Sequence, residues 1–205
     1  MNRDKKDIIS FRGSYRRSYR MFKGNYRQLI ALLDNLETIE VAIRLHDVKH
    51  NAEFFGALEE IARVLHNFLA SAESLVGHTR TYMRNLYKGQ PFFTEYEARV
   101  AEQFASSPLR RFVQDLRVYT QHITLPLTGS AFHLDRTEGL SIAYYIDAEE
   151  LRKWDNWSDE SRQYLDAFQK ILPVRQLADD YFSLVEEFYK WLDKSEREVH
   201  YGKKE

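Results

Sequence analysis

Apolar residues recur three and four positions apart along most of the chain, the spacing that gives an α-helix one apolar face. After Gly24, the segment NYRQLIALLDNLETIEVAIRLHD carries Leu29, Leu32, Leu33, Leu36, Ile39 and Ile43 at that spacing, which predicts a first helix. A second pattern runs without proline from Ala52 to about Tyr87, with Ile61, Leu65, Phe68, Ala72, Leu75 and Thr79 as its expected buried stripe. This is long for a globular helix, and Gly77 marks the place where a bend is expected. GQPF interrupts the pattern, and FTEYEARVAEQFA reads as a shorter third helix.

The fourth helix is expected to start at Ser107, a capping residue type, with Pro108 at the first helical position. Phe112, Leu116 and Tyr119 form its apolar face. Because Pro126 disfavours helical geometry at Leu125, this helix should end near Ile123 or Thr124, which leaves His122 close to a terminus. Residues 127–147, LTGSAFHLDRTEGLSIAYYID, change character: SAFHL and LSIAYYI flank RTEG as two strands flank a turn. Asp147 is expected to cap AEELRKW, and Ser158 or Asp159 to cap ESRQYLDAFQKIL. A last long helix follows from about Val174 to Val199, with Leu177, Tyr181, Leu184, Val185, Phe188, Trp191 and Leu192 facing the core. The expected fold is all-α: a bundle of long helices with a short β-hairpin inserted at about 127–147. Residues 25–205 form the single helical domain and 1–24 a basic N-terminal arm.

Composition sharpens this picture. A chain of 205 residues can bury roughly 70% of its unfolded surface, so no staple is needed. It has no cysteine, which excludes disulfides, thiol nucleophiles and thiolate metal sites. The first twenty residues lack a signal-peptide core and no apolar run reaches the roughly 20 residues that span a bilayer, so a cytoplasmic protein with no membrane partner is expected.

The net charge of −1 conceals an asymmetry. Residues 1–27 hold nine Arg or Lys against Asp4 and Asp7, a net of +7, and the remainder carries −8. Arg12, Arg16, Arg17, Arg20 and Lys23, interleaved with tyrosines, are candidates to attract phosphate and let unpaired bases stack, with no signal specific to DNA. The same segment can instead lie across an acidic helix of its own chain or of a partner subunit.

Several chemistries lack their residues. Eight scattered glycines provide neither a P-loop nor a dinucleotide fingerprint. No G-x-S-x-G, H-E-x-x-H or E-x-x-H occurs, which removes elbow hydrolases, zincins and the usual di-iron bundles. No metal site or cofactor is expected as the leading reading. His46 and His50, at i and i+4, can reach one metal only with a third ligand from elsewhere, and a solvated helix end explains them as well. On the second long helix, Asn67, Ser71, Ser74, His78, Thr81 and Asn85 share a face. They suit either a solvent face or a semi-buried polar seam between helices; their small, uncharged character favours the seam.

One stretch remains, DLRVYTQHITLP, from Asp115 to Pro126. Its LRVYTQH resembles the Arg, four to six residues, His motif of the HEPN (higher-eukaryote and prokaryote nucleotide-binding) superfamily, in a similar all-helical context over the second to fourth helices. The resemblance implies a metal-independent endoribonuclease, or an inactive relative, that dimerises so that two motifs face one groove. It also implies that Arg117 stabilises a phosphorane-like transition state and that His122 handles the 2'-hydroxyl or leaving-group proton. A guanidinium fork and an imidazole titrating near neutrality suit those roles. Val118 stands where the family often places a polar residue.

Five residues turn an ideal helix through about 500°, so the two side chains point roughly 140° apart. They can meet one substrate only at a helix end or across a dimer groove. The alternative is structural: Arg117 pairs with a carboxylate such as Asp115, and His122 interacts with the carbonyl end of its helix. Two functions follow as expectations. One is a HEPN-like, dimeric protein binding or cleaving RNA through Arg117, His122 and the basic arm. The other is a non-catalytic interaction or scaffold module whose acidic last helix, with Asp179, Asp180, Glu186 and Glu187, binds that arm or a partner.

Overall fold

A computed structural model describes residues 5–126, 128–135 and 139–202, with the side chains of all but 5–12, 14 and 135 among them. The fold is all-α with a small sheet, as the periodicity predicts. Arg12 lies outside the described side chains, and Arg136, Thr137 and Glu138 of the expected RTEG turn lie outside the described residues. Among the described residues no helix is long and apolar enough to cross a membrane.

The first helix, α1 (Lys5–Leu36), begins nineteen residues before Gly24 rather than after it. Its buried stripe continues backward from Leu33 and Leu29 through Phe22, Ser18 and Tyr15, so burial outweighs the roughly 1 kcal/mol that Gly24 costs a helix relative to alanine. The expected single helix past Leu36 is instead broken. Thr38 adopts extended backbone and its hydroxyl donates to the Asn35 carbonyl at 2.9 Å, a local bond that competes with the helical ladder. A short α2 (Ile39–Leu45) follows.

The second long helix, α3 (Asn51–Tyr87), runs through Gly77 without interruption, and the whole predicted stripe from Ile61 to Thr79 is buried. After α4 (Pro91–Val100) comes a π turn over Ala101–Ala105. Ser107 then caps α5 (Pro108–His122), its hydroxyl accepting from the Arg110 amide at 3.3 Å. Asp147 and Ser158 likewise cap α6 (Ala148–Arg152) and α7 (Asp159–Asp166). Last comes α8 (Val174–Tyr201), whose stripe from Leu177 to Leu192 is buried or half-buried as expected.

Contacts along the helices fix their directions. Ser18 faces His78 and Asn25 faces Asn67, so α1 runs antiparallel to α3; Arg16 faces Asp193 and Lys23 faces Glu186, so it also runs antiparallel to α8. Where the three meet, Phe22 stacks on Phe68 and Phe182, and Tyr26 lies almost flat on Phe182 at 3.9 Å. A second aromatic cluster joins α5 to α7, where Phe112 stacks on Trp157 and Tyr164.

The hairpin is present as β1 (Thr128–Asp135) and β2 (Gly139–Asp147), and β3 (Ile171–Pro173) joins it to give an antiparallel sheet ordered β1-β2-β3. The third strand replaces the end of the helix expected over ESRQYLDAFQKIL. Pro173 pushes Leu172 toward extended backbone, and Leu172 then fills the core opposite Ile146. Gly129 pairs with Tyr145, whose ring lies 2.7 Å from where a Cβ would stand. We expect Gly129→Ala to lower stability in urea denaturation by about 1–3 kcal/mol. That cost should fall by at least half in a Tyr145→Ala background; an undiminished cost would assign it elsewhere.

Candidate functional site

Arg117 and His122 share α5 but occupy different surroundings. Arg117 is half-buried in a recess with Glu73, Arg110, Gln114 and Tyr181, and its Nε has no hydrogen-bond partner among the described residues. His122, the final residue of α5, is exposed, and its ring makes no hydrogen bond to the described residues. No hydrogen bond or ion pair joins the two among the described residues. Asp115 does not pair with Arg117 either. Its Oδ2 accepts from the Ser158 amide at 3.1 Å, the Ser158 hydroxyl at 2.6 Å and the Ser161 hydroxyl at 2.7 Å, which anchors the start of α7.

The basic segment lies along α8. Arg16 bonds to Asp193 at 2.8 Å, Lys23 to Glu186 at 3.2 Å, and Tyr26 donates to Asp179 at 2.8 Å. Arg17 and Arg20 point to solvent. Glu187, also named from sequence, pairs with Arg99 instead. On the facing side of α1, the polar stripe of α3 forms part of a seam. The Asn67 carbonyl accepts from Asn25, Ser71 is buried and His78 bonds to Ser18, while Thr81 faces solvent.

His46 and His50 are engaged separately. The His46 ring bonds to the Ala42 carbonyl at 2.8 Å and to the Ser130 hydroxyl at 2.9 Å, between the rings of Phe54 and Phe132. It therefore fastens the hairpin to α2. His50 bonds to Glu53 at 2.8 Å.

Two features escape sequence reasoning. The first is Glu196 on α8, fully buried. Its Oε2 accepts from Tyr15 at 3.1 Å and lies 3.6 Å from Arg16, while its Oε1 accepts from Tyr82 and from Tyr87 at 3.2 Å. Tyr87 also bonds to His200 at 2.8 Å. Polar residues at Ser195 and Glu196, where the stripe through Leu192 should continue, were the available signal.

The second is an apolar overhang. The sheet face that buries Ile142, Tyr144 and Ile146 continues outward through Phe132, Leu134 and Leu140, all exposed, with Leu134 at 79%. Val48 and Phe55 near the start of α3 are exposed too. Alternation predicts the hairpin but not how far it extends past the helices.

No family model, curated protein or solved structure matches the chain.

Burial raises the ionisation of Tyr15 to about 12, as burial and then the bond to Asp179 do for Tyr26. An unfolded tyrosine ionises near 10. Between pH 10 and 12 the folded protein therefore holds protons that the unfolded chain releases, so stability present below pH 10 is lost as pH rises. Urea denaturation from pH 8 to 11.5 should show this decline. Tyr15→Phe should start from lower stability at pH 8 and decline less; an unchanged slope would dissociate Tyr15 from the effect.

Proposed function

We propose that the chain is a non-catalytic helical interaction module that docks through the hairpin, with a second copy of itself as the expected partner. The apolar overhang of Phe132, Leu134 and Leu140 carries this reading. A side chain such as Leu134 gains nothing from facing water, and contiguous exposed apolar surface is the usual mark of a protein interface. Strand β1 is also an edge of its sheet, and an edge strand offers backbone donors and acceptors to a pairing chain. Two β1 edges meeting antiparallel satisfy a twofold interface, in which each copy presents the same patch.

The acidic helix supports the same reading. It engages Arg16 and Lys23 of its own chain, which withdraws those two cations from the surface offered to phosphate. Leu134→Asp should weaken self-association in sedimentation velocity at least tenfold, about 1.4 kcal/mol, with the circular dichroism melt unchanged. A monomeric wild-type protein would sink the homodimer, and equal association of both would sink the hairpin as its site.

An RNA-directed HEPN-like protein is the second reading, favoured by the exposure of His122, Arg17 and Arg20. The interaction-module reading predicts no RNA cleavage in EDTA. Cleavage that disappears in both Arg117→Ala and His122→Ala would reverse the choice.

A further inference from the structure

The two ends of β1 differ in what lies beneath them. Residues paired across neighbouring strands share a sheet face, so Thr128, Ser130, Phe132 and Leu134 lie on the face that carries the buried Ile142, Tyr144 and Ile146. At the start of the strand that face rests on helices. The Thr128 hydroxyl donates to the Leu58 carbonyl of α3 at 3.2 Å, and Ser130 meets His46, which follows α2. At the far end Leu134 has left that support and is 79% exposed. Among the described residues, the chain thus carries an apolar strand end that no helix covers.

It also carries an open apolar groove. Beside the supported start of β1, Phe55, Leu58 and Ala62 of α3, Leu125 and Pro126 of the segment after α5, and Thr128 itself line a space of about 420 Å³. Phe55 and Leu125 are exposed there. Within one chain the bare strand end cannot reach this groove, because the rise of roughly 3.4 Å per residue holds Leu134 about 20 Å from Thr128. Antiparallel pairing of two β1 edges removes that separation: it lays the end of each strand beside the start of the other.

A twofold axis perpendicular to the sheet keeps the same face of both copies on one side. Centred on Ala131, that axis sets Leu134 of each copy opposite Thr128 of the other, and Phe132 opposite Ser130. Each bare strand end then lies over the other copy's helices. Centred on Phe132 instead, it would set Leu134 opposite Ser130, whose hydroxyl is already bonded to His46, and away from the groove.

From this we infer that each copy's hairpin end plugs the other: β1 pairs with β1 about Ala131, and Leu134 seats in the groove between α3 and the start of β1. This seat rests on the homodimer reading above and adds to it a register and a receiving surface. It also gives a role to Phe55 and Leu125, which the meeting of two strand edges alone leaves exposed to water.

The absence of cysteine lets introduced thiols report the register in the full chain. In Thr128→Cys/Leu134→Cys the two thiols of one copy are too far apart to bridge, since a disulfide needs Cα atoms within about 7 Å. On mild oxidation we expect a doubly linked dimer, identified by peptide mapping. Ala131→Cys should link to itself across the axis, and Phe132→Cys should link at least tenfold more slowly. Phe55→Asp should weaken self-association at least tenfold in sedimentation velocity, while Val199→Asp, also exposed but near the end of α8, should leave it unchanged. A monomeric wild-type chain would remove the homodimer and the seat together. The homodimer would stand and the seat would fall if Thr128→Cys/Leu134→Cys failed to link, if Phe132→Cys linked as fast as Ala131→Cys, or if Phe55→Asp associated as tightly as wild type.

Discussion

A carboxylate cannot sit unaided in an apolar core, because desolvation costs it several kcal/mol, yet Glu196 is fully buried. It is held by the hydroxyls of Tyr15, Tyr82 and Tyr87 and by the nearby guanidinium of Arg16. Those groups come from α1 and α3, while Glu196 itself comes from α8. The three long helices must therefore keep one axial register, or the carboxylate loses its donors. The same register sets the pairs further along, Lys23 with Glu186 and Tyr26 with Asp179, and places Arg175 against Glu37 and Asp34 at the far end.

Most of the helical fold was legible because helices advertise themselves locally. Ser107-Pro108, Asp147 and Ser158 act through neighbours three residues away, so their caps could be read from the chain directly. The misses arise where a distant partner decides. Gly24 reads as a boundary, but Phe22 packs on Phe68 and Phe182, and that burial carries the helix through. Ile171–Pro173 follows a helical pattern and still becomes a strand, because β2 supplies an edge to pair with.

The candidate sites divide in the same way. Residue types and spacing drew attention to Arg117, His122, His46 and His50, but spacing along one helix carries no information on what the next helix brings. Asp115 is taken by Ser158 and Ser161, and His46 by Ser130.

Tyr15 and Glu196 stand 181 residues apart in the chain. A ribosome adding about 5–20 residues per second takes roughly 10 to 40 s to travel that distance. Throughout that interval α1 has emerged with its cationic stripe and its aromatic face, and α8 does not yet exist to cover either. The nascent chain is thus a different object from the folded one, positively charged along α1 and exposed to chaperones and to the RNA-rich surface from which it is emerging. Synthesis of the acidic helix ends that state in part: it pairs Arg16 and Lys23 and leaves Arg17 and Arg20 in solvent.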